Sequence, residues 1–393
     1  MKKEFGLYIH IPFCRQKCFY CDFPSFAGRE KKIDKYLQAL EQEFALLRQR
    51  LYPKDNVRDT ESKFAPRTIY IGGGTPTALN AHQMKKLMKI VQKYVTVAKA
   101  EEFTVEMNPG TVDREKLLLL QQAGVNRLSV GVQSFDDHCL QKIGRIHTAQ
   151  DAVNTIELAH NLGFDNISLD LIYGLPQQDR EILTKSVERA LTLPVQHISI
   201  YGLQLEEGTA FQRMADMGKL QLPTDELVEA MHDYIVEKLP EAGYQRYEIS
   251  NYALPGYESK HNLSYWQDVP YLGFGSGAHS YWGECRYQNP ARIEVYMEEV
   301  FQGRAMCHVE EKVTEKAHIE EFCFLALRTA AGISVRRFAA VFGRDVHELY
   351  GEPIRRLVEK GLLLEDRERL YLSPLGMKYG NQVFAEFLLE NEI

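Results

Sequence analysis

The residues best placed to do chemistry lie near the start of the chain, in Tyr8-Ile-His10-Ile-Pro-Phe-Cys14-Arg-Gln-Lys-Cys18-Phe-Tyr20-Cys21-Asp-Phe23. Cys14, Cys18 and Cys21 offer one loop three thiolates rather than four. Iron–sulfur cubes are normally held by four cysteines, so a three-thiolate cradle for a [4Fe-4S] cluster leaves one iron open to another ligand. Two other readings stay open on spacing. A structural zinc site wants four ligands, with His10 the nearest further donor, and a disulfide is the third possibility. The total of seven cysteines is odd, and Cys139, Cys285, Cys307 and Cys323 lie singly. That usage fits a reducing compartment and small buried side chains.

Further polar groups follow short apolar runs. Gly72-Gly73-Gly74-Thr75 comes directly after Thr68–Ile71; consecutive glycines let backbone N–H groups approach a ligand closely, with a tight turn as the alternative. Glu106 alternates with Val105 and Met107, which aims its carboxylate at an interior where it needs a partner. A bound polar ligand or an arginine from a neighbouring strand would serve. Gln133, Arg145 and Asp170 occupy comparable positions: an amide and a carboxylate read adenine or ribose edges, and a guanidinium clamps a carboxylate.

Strand-length apolar runs at 7–11, 68–71, 103–107, 127–132, 167–172 and 198–205 alternate with helical faces at 33–50, 84–94, 114–123, 149–162, 182–191 and 227–239. Strand–helix units in series predict a parallel sheet with right-handed crossovers. Polar groups at the strand ends make an open, partial (β/α)6 TIM-like barrel the best fit. The charged stretch 53–67 reads as a solvated insertion. The alternation breaks near residue 244, where 244–252 suggests an antiparallel strand, and 290–312 reads as a linker. Helical patterns at 315–330, 334–342 and 354–360, then two short strands around a charged turn, suggest a smaller α+β domain resembling a winged helix. The predicted divisions are 1–243, 244–311 and 312–393.

The CxxxCxxC spacing after a strand resembles the cluster motif of the radical S-adenosylmethionine (SAM) superfamily. The string Tyr8 to Cys14 resembles the oxygen-independent coproporphyrinogen III oxidase-like family, and His261-Asn262-Leu-Ser-Tyr265-Trp266 resembles the HNxxYW signature of its HemW-type heme chaperone branch. The resemblance implies the same barrel fold, with SAM bound at the open iron and cleaved to methionine and a 5′-deoxyadenosyl radical on cluster reduction. It implies SAM contacts from Tyr8, Tyr20, Gly72, Gly73, Gly74, Thr75, Glu106, Gln133, Arg145 and Asp170. Heme would lie by His261, or by His279 in the glycine-rich Gly273–Trp282 segment, beside both tryptophans.

A heme chaperone that passes its cargo to an acceptor protein is therefore expected. The alternative is the decarboxylating oxidase, whose motif carries a further cysteine where this chain has Phe23 and which has a long N-terminal extension before the motif. A DNA-binding sensor built on the winged-helix-like end is a third reading. The net charge of −7 and the mixed-sign turn at 365–369 speak against a nucleic-acid partner. An external electron donor is expected, with membrane contact only through a membrane-bound acceptor. No apolar run approaches the roughly 20 residues of a membrane span. The N-terminus runs straight into the first strand, so no signal peptide and a cytoplasmic location are expected.

Overall fold

The computed structural model describes residues 4–52, 63–306 and 308–389. Most of the charged 53–67 stretch, and Cys307, lie outside them. Six strands, β1 (Gly6–Ile11), β2 (Thr68–Gly73), β3 (Glu102–Met107), β4 (Arg127–Gln133), β5 (Ile167–Tyr173) and β6 (His197–Gly202), are successive parallel neighbours. Leu7, Ile9, Ile11, Ile69, Ile71, Val105, Leu128 and Val130 are fully buried in the main core. Intervening positions such as Tyr8, Tyr70, Glu106, Ser129 and Asp170 take the other face, as the two-residue repeat of a strand requires. The barrel therefore encloses polar groups.

Helices α1 (Ile33–Leu51), α2 (Ala81–Tyr94), α3 (Arg114–Gln122), α4 (Ala149–Asn161), α5 (Arg180–Leu191) and α6 (Asp225–Glu241) cover the outside. The last five begin where a short polar side chain accepts from the backbone N–H three residues on: Asn80, Asp113, Thr148, Asp179 and Thr224. Such caps satisfy amides that a helix start leaves unpaired.

The sheet extends beyond the six strands. At the β6 edge, β7 (Gln245–Arg246) and β8 (Asn251–Ala253) form an antiparallel pair, so the single strand predicted over 244–252 is interrupted by a turn. The helix α7 (Lys260–Trp266) precedes β9 (Tyr271–Phe274), which pairs parallel with β1. β10 (His279–Trp282), β11 (Cys285–Gln288) and β12 (Val309–Lys312) continue antiparallel outward. The stretch predicted as a linker thus carries β12 and a helix, α8 (Ile293–Phe301). Ile293, Tyr296, Met297 and Val300 recur at helical spacing and enter the main core.

The C-terminal part has its own core. α9 (Glu315–Leu327), α10 (Val335–Phe342) and α11 (Val346–Glu359) pack with a sheet of β13 (Ile333–Ser334), β14 (Leu363–Glu365) and β15 (Arg369–Leu372) around Phe322, Phe338, Tyr350, Leu370 and Phe387. This is the winged-helix-like arrangement. α11 starts earlier than the predicted helix, at the Asp345 cap, and bends at Tyr350. Cys139 and Cys323 are buried as expected, whereas Cys285 is only half-buried. Among the described residues no helix is long and apolar enough to cross a membrane.

Candidate cofactor site at the barrel mouth

The cysteine loop leaves the C-terminal end of β1. Its ends are pinned because Phe13 and Cys14 pair with Phe26 and Ala27, and its middle because Phe19 N–H donates to Ile143 O and Gln16 Nε2 to Gly144 O. The hydroxyl of Thr75 donates to Cys14 Sγ at 3.6 Å, and Arg145 Nη1 donates to Cys18 Sγ at 3.5 Å. Cys21 Sγ lies 4.0 Å from Ser25 Oγ. Burial pushes the Cys14 and Cys21 thiols up, opposed chiefly by bonds from Thr75 and from the Phe23 backbone, respectively.

Among the described residues no three His, Cys, Asp or Glu side chains converge on a point able to hold one ion. Three thiolates from one loop would give a [4Fe-4S] cluster one ligand on each of three irons. His10 is no fourth ligand here, since its two nitrogens bond Tyr8 OH at 2.9 Å and Pro24 O at 3.0 Å.

Beside the cysteines, β2 ends in the glycines. An added Cβ on Gly72 would sit 2.7 Å from the Glu106 carboxyl carbon. Gly73, with φ +106°, would collide with the His10 ring, and Gly74 with Ile11 O at 2.8 Å. Gly73 N–H donates to Glu106 Oε2 at 3.0 Å, and Tyr70 OH donates to Oε1 at 2.7 Å. Glu106 therefore finds partners without a direct bond to an arginine. Burial nonetheless pushes it up to about 7, and Asp170 to about 6 despite bonds from Ser199 and Ser129. Gln133 holds φ +71° although it is not glycine, a left-handed backbone that occurs mostly where surroundings enforce it. Tyr8 stacks on Tyr70, and Tyr20 packs beside Cys139, Ile143 and Phe211.

A cleft opens here, lined by Cys18, Thr75, Asn108, Arg145 and His147 among others. The structure thus gathers Cys18, Thr75 and Arg145 at this cleft, with Cys14 bonded to Thr75 and Glu106 joined to the glycine turn. Asn108 and Tyr70 belong to the same network and carry no sequence signal beyond their place at and before strand ends.

The two histidines singled out for heme lie elsewhere. His261 is 1% exposed, at the opposite end of the barrel, where it contacts Gly6 and Thr68 at the strand starts. Its Nδ1 bonds Thr68 Oγ1 at 2.8 Å and its Nε2 bonds Tyr265 OH at 2.9 Å. Burial, with Arg127 nearby, lowers it to about 3, so the ring is neutral. Both ring nitrogens of His261 are thus engaged within the protein. Its aromatic neighbours are engaged too: Arg328 lies over Trp266, and Trp282 packs edge-on against Phe5. The glycines meant for close ligand approach are filled by the protein itself, Gly275 by Tyr36 OH and Gly277 by Pro24. His279 is exposed on β10, bonded to Glu310 and Gln288.

Comparison with known proteins completes the description. The Radical SAM superfamily matches residues 8–190 and the HemN C-terminal domain matches 313–379. The Bacillus subtilis protein named heme chaperone HemW is 42% identical, covering 98% of this chain and 99% of its own. Its Lactococcus lactis namesake is 38% identical over 100% and 99%. The solved Escherichia coli coproporphyrinogen III oxidase (HemN), a radical SAM enzyme, superposes with a TM-score of 0.83 at 24% identity, over 98% of this chain and 90% of that one, a likeness of fold. With its cysteine loop at the mouth of a partial barrel and its full-length similarity to those relatives, the chain belongs to the HemW family of radical SAM proteins.

Proposed function

We propose that this protein is a heme chaperone: it carries a [4Fe-4S] cluster on Cys14, Cys18 and Cys21, binds SAM at the open iron, and holds heme for delivery to an acceptor protein. The carrying observation is end-to-end similarity to proteins named heme chaperone HemW. The donor chemistry of the mouth supports the cofactors. Glu106 and the Gly72–Thr75 turn would take the SAM amino group, Arg145 its carboxylate, and Gln133 and Asp170 the ribose and adenine edges, with Tyr8 and Tyr20 flanking. Bound together, cluster and SAM supply one-electron cleavage of the sulfonium. An external donor would provide the electron. Of the two candidate heme ligands His279 is the exposed one, on β10, and would be the more accessible.

The test is anaerobic reconstitution with iron and sulfide, then heme titration followed in the Soret region for wild type, His279→Ala and His261→Ala. We expect a saturable complex weakened about tenfold or more by His279→Ala, a loss of about 1.4 kcal/mol, with His261→Ala acting chiefly on stability. Consumption of coproporphyrinogen without heme binding would place the protein among the decarboxylating oxidases instead.

A further inference from the structure

Two SAM-site candidates beside the cysteines, Thr75 and Arg145, are joined through a residue that the motifs do not mark. Asn108 follows β3 directly, ahead of the Pro109-Gly110 turn. Its Nδ2 donates to Thr75 Oγ1 at 2.8 Å, and its Oδ1 accepts from Arg145 Nη2 at 2.9 Å. Thr75 and Arg145 in turn donate to Cys14 and Cys18. One side chain thereby closes a hydrogen-bonded path from Cys14 to Cys18. Room for it comes from Gly131, where an added Cβ would lie 2.9 Å from Asn108 Oδ1 and 3.0 Å from both Arg145 Nη2 and Gln133 Nε2.

We propose that Asn108 is a positioning residue that aims Thr75 and Arg145 at the two thiolates and so raises the reduction potential of the cluster; this rests on the cluster assignment above. The polarity of the path requires an amide. A guanidinium can only donate, so Arg145 must face Oδ1. The amide N–H then occupies the Thr75 oxygen from behind and leaves the hydroxyl hydrogen for Cys14. A carboxylate in its place would accept that hydrogen and draw it off the sulfur. Hydrogen bonds to cluster sulfurs are among the determinants of potential; donors stabilise the more negative, reduced cluster, so their loss shifts the potential downward.

The experiment is an EPR-monitored redox titration of the reconstituted full-length protein as wild type, N108A, N108D, T75V and N108A/T75V. Four irons per chain are counted first. N108A and N108D should both hold the cluster and titrate below wild type, N108D lowest because it adds negative charge. The N108A/T75V shift should be smaller than the sum of the single shifts, since both act through the Cys14 bond. Wild-type potentials in N108A and N108D, or strictly additive shifts, would overturn the proposal. N108D is isosteric and keeps the Arg145 contact, so it reports if N108A loads poorly. A wild type that assembles no four-iron cluster would instead sink the cluster assignment, a result read before any potential is measured.

Discussion

Glu43, Glu106 and Asp170 are carboxyls held away from water, pushed up to about 7, about 7 and about 6. Between the ordinary carboxylate range and those values the folded state binds more protons than the unfolded chain, so each makes stability fall as pH rises, then level off. The cost above the folded value is on the order of 1–3 kcal/mol apiece. Buried histidines pull the other way: His147 is lowered to about 4 and His261 to about 3, so each adds stability as pH climbs toward the ordinary histidine value. A difference measurement separates the two. Glu43 lies outside the mouth, accepting from Gly275 N–H, Asn289 Nδ2 and Tyr296 OH. Urea titrations at pH 5 and 7.5 should show Glu43→Gln lacking the fall that Glu43 contributes, with its stability relative to wild type improving at the higher pH. An identical pH slope in both proteins would show that Glu43 does not ionise on unfolding.

At the scale of elements, the turn after β2 is the least substitutable. Gly73→Ala combines a left-handed backbone with a collision on the His10 ring and should cost roughly 2 kcal/mol or more and abolish SAM binding. Gly110→Ala, equally left-handed at φ +73° but with open space around it, should cost about 1 kcal/mol. Thermal melts and SAM calorimetry on the pair check the contrast. The sequence reveals the turn because consecutive glycines after an apolar run have few other uses, and it reveals the six strand–helix units because both periods are local. It hides β9, where Gly273 within the strand and Gly275 just after it interrupt any alternation, and α8, whose four buried residues follow a proline-bearing stretch. The setting of His261 in the HNxxYW segment is hidden for a related reason. A histidine among aromatics reads as a ligand, while the bonds to Thr68 and Tyr265 that occupy it depend on where α7 docks. Asn108 is invisible for the same cause, since its partners come from the turn after β2 and from beyond β4.

Across the whole molecule α7 joins the two cores. His261 closes the bottom of the barrel while Trp266 meets Arg328 at the end of α9, 4.6 Å from guanidinium to ring. His318 bonds Asp268 at 2.6 Å, Arg337 donates to Gln267 O, and Ala330 N–H donates to Tyr247 O at 2.9 Å. Arg328→Ala should remove a contact worth about 1–2 kcal/mol and let the C-terminal core melt ahead of the barrel. Calorimetry would then resolve two transitions, and an unchanged single transition would show that the cores are coupled by the remaining bonds. The parallel pairing of β1 with β9 carries a last consequence. The strand that bears the cysteine loop gains its second neighbour only from residues 271–274, some two-thirds of the chain later. A ribosome must deliver that segment before β1 is flanked on both sides, and pairings so distant in sequence form slowly. Insertion of the proposed cluster into a finished cradle would thus come late in biosynthesis, and iron supplied during early synthesis would meet three cysteines without their scaffold.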